Sequence, residues 1–172
     1  MTQSTNPKLL IIGHGRHGKD TVGEILQDDH GHTFTSSSDF CKEFVRFYLA
    51  ERGLKYATLD DCYTDRHNYR DTWFKAIQGY NREDPTRIAT EMQASGYSLY
   101  VGMRSRREYK ACMIAGIFDH VIWVDRSEHL PPEPPESMEL TKCYADFIID
   151  NNGTLRELRH KIDTLQEDYF LI

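Results

Sequence analysis

The sequence predicts an α/β fold, a parallel β-sheet covered by helices on both faces, built as a single domain. Three observations carry this reading. Short continuous apolar runs recur at residues 9–13, 98–104, 120–126 and 145–151, and such runs fit strands buried on both faces. Segments with apolar residues at helical spacing separate them, which is the alternation of a βαβ chain. The length of 172 residues suits one domain better than two. A domain of that size hides about 70% of the surface its unfolded chain exposes, so it needs no disulfide or metal staple.

The elements follow in order. LLIIG, residues 9–13, is an apolar run closed by glycine and reads as the first strand. Val22, Ile25 and Leu26 place a helix over about 19–27. A short polar strand is expected at 32–36. Ser38 is then the expected N-cap of a helix over about 39–52, with Gly53 as its stop. Helical spacing runs from 65 to 94 with a break near 81–85, where Asp84 is placed to cap a new helix that has Pro85 at its first position. Strands at 98–104, 120–126 and 145–151, a helix over 108–115 and a last helix over 154–166 complete the chain.

Composition narrows the function. Hydrophobic residues make up 39% of the chain and charged residues 28%, and mean hydropathy is −0.63. No run approaches the ~18 apolar residues of a membrane span, so no membrane association is expected. MTQSTNPKLLIIG lacks a basic n-region, so no secretory signal is expected and the cytoplasm is the expected location. Twenty-one Lys and Arg against 27 Asp and Glu give a net charge of −6. That balance disfavours a nucleic-acid polymer as partner, while a small anion remains open because its binding depends on local donors. Cys41, Cys62, Cys112 and Cys143 form no Cys-x-x-Cys pair and read as reduced thiols, mostly in the core.

The strongest motif is GHGRHGKDT, residues 13–21, set between the first strand and the first helix. Gly13, four residues, Gly18 and Lys19 meet the Walker A spacing. Glycines there let successive backbone N–H groups face a phosphate, the helix start adds its positive end, and Lys19 neutralises phosphate charge. The hydroxyl expected after the lysine is replaced by Asp20 and comes one residue later as Thr21. Asp20 is thus the candidate ligand for Mg2+, held directly or through water.

GKDT after a buried strand, YVGMRSRREY (100–109) and ADFIIDNNGTLREL (145–158) resemble the P-loop nucleoside monophosphate kinases, with phage-type deoxynucleoside monophosphate kinases the nearest likeness. Dephospho-coenzyme A kinases share the closing D-x-x-I-x-N-x-G-x-L pattern. The resemblance implies a three-layer, adenylate-kinase-like P-loop fold, with a core over about 7–35 and 97–172, a helical acceptor-binding insertion over 36–96 and a short lid over 127–140. It implies ATP and Mg2+ as cofactors and a (deoxy)nucleoside monophosphate as the phosphoryl acceptor. By the same likeness Gly15, Gly18, Lys19, Asp20 and Thr21 hold the donor phosphates, within a loop that also contains Gly13, Arg16 and His17.

The middle of the chain supplies candidates for the acceptor. Asp39, Lys42 and Arg46 fall where that family begins its monophosphate-binding helices. Arg66 and Arg70 stand at i and i+4, a spacing that sends two guanidinium forks from one helix face toward a phosphate. Tyr69 and Trp73 share that spacing and either flank a base or serve the core. Arg104 ends a central strand, at the edge where such sheets bind ligands. Lys19, Arg70, Arg104 and Arg126 are the candidates for stabilising the transferring phosphoryl group, and no catalytic base is named because an acceptor phosphate is already an anion.

Other signals are weaker. Arg126 is the last arginine before the proline-rich segment LPPEPPES (130–137), which reads as a rigid surface loop or, lacking a basic anchor, a poor polyproline ligand. His14, His17, His30 and His32 read as surface histidines and not as metal ligands. A dephospho-coenzyme A-type small-molecule kinase, a P-loop switch without an acceptor and a non-enzymatic nucleotide-binding scaffold are the competing readings. A monomer or homodimer satisfies everything in the sequence.

Overall fold

The computed structural model describes residues 6–170. Residues 1–5, part of the segment read for a signal, lie outside them. Five strands form one sheet: β1 (Leu9–Ile12), β2 (Phe34–Ser36), β3 (Leu99–Val101), β4 (His120–Asp125) and β5 (Phe147–Asp150). Their order is β2-β3-β1-β4-β5 and every pairing is parallel. Eight α-helices accompany them among the described residues: α1 (Lys19–His30), α2 (Ser37–Phe40), α3 (Lys42–Ala50), α4 (Leu59–Thr64), α5 (Arg70–Tyr80), α6 (Arg87–Ala94), α7 (Arg106–Ile114) and α8 (Leu155–Leu165). Helices pack on both faces of this parallel sheet, giving a three-layer α/β/α fold. No helix among the described residues is long and apolar enough to cross a membrane.

The two-residue period of the strands sorts the core into two halves. Leu9 and Ile11, with Leu99, Val101, Ile122 and Val124, face Val22, Ile25 and Leu26 of α1 and Leu158 and Ile162 of α8. Leu10 and Ile12, with Tyr100, Val121 and Trp123, face Val45, Trp73, Ile88, Met92 and Cys112 from the helices of the other layer. The register that pairs Leu10 with both Tyr100 and Val121 keeps each set on its own face. Cys41, Cys62 and Cys112 are buried and Cys143 is exposed.

Several local expectations change. The N-cap after β2 is Ser36, whose hydroxyl accepts from the Asp39 N–H at 3.1 Å, and not Ser38; the helix breaks at Cys41 into α2 and α3. Helix α4 arises where no helix was expected, started by the reciprocal Thr58–Asp61 capping box. Residues 65–68 form a 3-10 turn, so α5 begins only at Arg70. Asp84 does cap locally, accepting from the Thr86 N–H at 2.8 Å, but α6 starts at Arg87, two residues past Pro85. Ser105 caps α7 and moves its start to Arg106. A short π-helical turn (Gln166–Phe170) extends α8.

Candidate active site

The loop between β1 and α1 is fixed by close backbone approaches. Gly13 has φ +148°, and a Cβ there would sit 2.6 Å from the Val124 carbonyl oxygen, a backbone atom that cannot yield. Gly18, at φ +94°, ends the loop as the N-cap of α1, and a Cβ on it would strike the Asn151 amide. No side chain caps α1, so its first N–H groups are not taken by a capping side chain. Lys19 lies under the loop, its Nζ donating to the His14 carbonyl at 2.6 Å. Burial, and next the charge of Arg104, lower its pKa to about 8 against the pull of Asp20 and Glu133.

His17 is fully buried and not at the surface. Its carbonyl accepts from Asn151 Nδ2 at 2.9 Å and its Nδ1 accepts from the Arg126 backbone N–H at 3.0 Å, while its Nε2 has no partner. Burial and the Lys19 charge lower its pKa, which keeps the ring neutral and able to accept. The Arg126 guanidinium donates to the Asn151 carbonyl at 3.1 Å. Arg126 and His17 therefore brace the loop from behind and do not reach the cleft. His32 is also buried, held between Ser98 and Gln166, while His30 pairs with Asp163.

A cleft of about 700 Å3 opens at the carboxyl edge of β1, β2 and β3, where the chain changes direction across the sheet. Gly15, Arg16, Lys19 and Asp20 line one end. Ser36, Ser37 and Ser38 line the other, with Arg66, Trp73, Phe74, Ile77, Tyr100 and Glu108; Arg70 and Arg104 stand between the two. Thr21 is half-buried on α1, outside this lining.

Arg66 and Arg70 both reach the cleft, but not from one helix face. Arg66 belongs to the 3-10 turn, its guanidinium stacked 3.9 Å from the centre of the Tyr63 ring and its Nη1 donating to the Tyr63 carbonyl. Arg70 opens α5. Trp73 is 4% exposed and packs edge-on against Tyr63, so it serves core and cleft together, whereas Tyr69, the residue before α5, is partly buried against the core and outside the cleft lining. Asp39, Lys42 and Arg46 are not brought to the cleft. Asp39 accepts from Lys42 Nζ at 3.1 Å and from Thr35 Oγ1, and Arg46 reaches the Ala57 carbonyl. Asp39 belongs to α2, before the break at Cys41, and Lys42 and Arg46 to α3 after it.

Two acidic residues that the motifs did not announce complete the site. Glu108 is 5% exposed on α7; burial raises its pKa to about 7, opposed by its bond to Asn81. Glu133, from the proline-rich segment read as a surface loop, enters the cleft. Its Oε2 accepts from the Gly15 N–H at 2.6 Å and from Arg104 Nη1 at 2.9 Å, and its Oε1 pairs with Arg70 Nη1 at 3.4 Å. Burial pushes the Glu133 carboxyl up, but the Arg104 charge and bond, the Gly15 N–H and Lys19 outweigh it and leave the pKa lowered. Glu108 follows Arg104 by four residues in YVGMRSRREY, so its sequence position is a signal for it; nothing in the sequence ties Glu133 to a loop 118 residues away.

The donors that receive the Glu133 carboxylate are those a phosphate oxygen requires, so the loop fits a phosphate group. Asp20, exposed on the first turn of α1, lines the same end, and its carboxylate is the type of oxygen ligand that a hard divalent cation takes.

No protein-family model matches the sequence, and no curated protein matches it. Among solved structures, the chain is similar to a shikimate kinase from Bacteroides thetaiotaomicron, with a TM-score of 0.49 at 11% identity over 95% of this chain and 98% of that one.

Proposed function

We propose that the protein transfers the terminal phosphoryl group of ATP to the phosphate of a nucleoside monophosphate, with deoxynucleotides the preferred acceptors. The observation that supports this is a single cleft in which Lys19 and the glycine-rich loop form one end, aromatic and hydroxyl side chains form the other, and Arg70 and Arg104 stand at the junction. At the first end, backbone N–H groups and Lys19 take the donor phosphates. At the other, Trp73, Phe74, Ile77 and Tyr100 offer apolar walls to a flat base, with the Glu108 carboxyl and three serines as polar partners.

An oxygen of the acceptor phosphate attacks the terminal phosphorus, the bond to the bridging oxygen breaks, and ADP leaves. That oxygen is already anionic, so no general base is required. The work of the protein is alignment and charge. Arg70 and Arg104 hold the acceptor and the transferring oxygens in line, and Lys19 regains full charge as phosphate approaches it. Mg2+, held near Asp20, supplies further neutralisation of the donor oxygens when bound.

The test is ADP release with ATP and Mg2+ across the four deoxynucleoside monophosphates, the ribonucleotides and dephospho-coenzyme A, with Lys19→Ala as control. Turnover that requires a nucleoside monophosphate and disappears in the control supports the reading and names the acceptor. Turnover only with dephospho-coenzyme A, or hydrolysis indifferent to any acceptor, refutes it.

A further inference from the structure

We propose that residues 130–137 form a lid that closes the phosphate site with a carboxylate of its own chain, and that Glu133 must withdraw before a nucleotide phosphate can bind. The proposal rests on the reading of the glycine-rich loop as a nucleotide-phosphate site. Glu133 takes one N–H of that loop, from Gly15, and both arginines of the junction, Arg70 and Arg104. Its own N–H donates to His14 Nδ1 at 3.1 Å, so backbone and side chain both seat it on the loop. A carboxylate in this position receives the bonds a phosphate oxygen would receive. Two anions cannot share them.

The segment is built to move as one piece between two anchors. At its start, the Glu128 N–H donates to Asn152 Oδ1 at 3.1 Å, His129 Nε2 meets the Asn152 carbonyl at 2.7 Å, and the Leu130 N–H donates to the Arg126 carbonyl. At its end, Met138 and Leu140 are buried and the Glu139 N–H donates to the Arg104 carbonyl at 3.1 Å. Between the anchors, Pro131, Pro132, Pro134, Pro135 and Glu136 are exposed, and the Glu133 side chain and the Ser137 carbonyl make the inward contacts. Proline fixes φ along that stretch, so bending concentrates at the two ends. Arg104 also donates to the Ser137 carbonyl at 3.0 Å, so the arginine that must meet a phosphate is the one that fastens the lid.

While the lid is shut, its carboxylate neutralises the arginines and holds them in place. Each phosphate ligand then binds only the open fraction, and its apparent affinity falls by that fraction. Glu133→Gln keeps the shape and removes the charge. ADP without metal should then bind about tenfold tighter than to the unaltered protein by titration calorimetry, with both proteins melting as single folded species. A second measurement follows hydrogen exchange at the Glu133 amide of the unaltered protein, which should speed up when ADP saturates the site.

Equal or weaker ADP binding in the variant, or an amide that stays protected with ADP bound, overturns the lid. If neither folded protein binds ADP or inorganic phosphate, the lid falls together with the phosphate site. Tighter ADP binding in the variant with no transfer to any acceptor supports the lid while refuting the kinase reading.

Discussion

Asn151 Nδ2 donates to the His17 carbonyl oxygen at 2.9 Å, a buried bond that joins the turn after β5 to the glycine-rich loop across 134 residues. The same side chain lies where a Cβ on Gly18 would go. The last strand therefore sets the curvature of a loop formed at the other end of the chain.

Removing that bond leaves a buried carbonyl unpaired, which costs about 1–3 kcal/mol. Asn151→Ala should lower stability by that order in urea unfolding and weaken ADP binding, although residue 151 does not line the cleft. Gly18→Ala, which forces the same two groups apart at a backbone with positive φ, should do more harm to ADP binding than to the melting temperature. Unchanged ADP affinity in both variants would show that the loop holds its shape without this tie.

Arg126 and Arg104 carry the same charge and should fail differently. Arg126 donates to the Asn151 carbonyl behind the loop, whereas Arg104 faces the cleft. Arg126→Ala should cost about 1 kcal/mol of stability through the unpaired carbonyl, with little change in KM for the acceptor. Arg104→Ala should reduce kcat by about 10²–10³, the scale for removing a charge-stabilising donor from a transition state. Steady-state kinetics on both variants separates the roles. A larger loss of kcat in Arg126→Ala would reverse them.

The fold was legible because its signals are local. Continuous apolar runs mark β1, closed by Gly13, and β4, and the spacing of Gly13, Gly18 and Lys19 places the loop between β1 and α1. The misses have physical causes too. Arg66 and Arg70 were put on one helix face because i,i+4 spacing presumes an α-helix through both, and a 3-10 turn over 65–68 breaks it. Asp39, Lys42 and Arg46 rest on position in the chain alone, and the fold gives them local partners instead, Lys42 for Asp39 and the Ala57 carbonyl for Arg46. Arg126 directly follows β4 beside the site, yet the Asn151 carbonyl claims it. Glu133 was unreadable because its partners come from tertiary packing alone, and proline-rich segments carry no periodicity that says which face turns inward.

His32 and Glu108 should pull stability in opposite directions over the same pH range. Burial lowers the His32 pKa to about 4 from an ordinary 6.5, so below pH 6.5 the unfolded chain takes up a proton that the fold refuses. Stability from this group is complete above pH 6.5 and is lost as pH falls toward 4. Burial raises the Glu108 pKa to about 7 from an ordinary 4.5, so between those values the fold keeps a proton that the unfolded chain releases. Stability from this group is complete below pH 4.5 and is lost as pH rises toward 7. Each shift corresponds to on the order of 3 kcal/mol, and both residues are nearly inaccessible to water, so the two slopes largely cancel between pH 4.5 and 6.5. Glu108→Gln should uncover the histidine, giving a protein whose urea midpoint falls as pH drops from 6.5 to 4.5. His32→Asn should uncover the glutamic acid, giving a midpoint that falls as pH rises from 4.5 to 7. Parallel profiles in both variants and the unaltered protein would show that neither group titrates differently in the folded and unfolded chain.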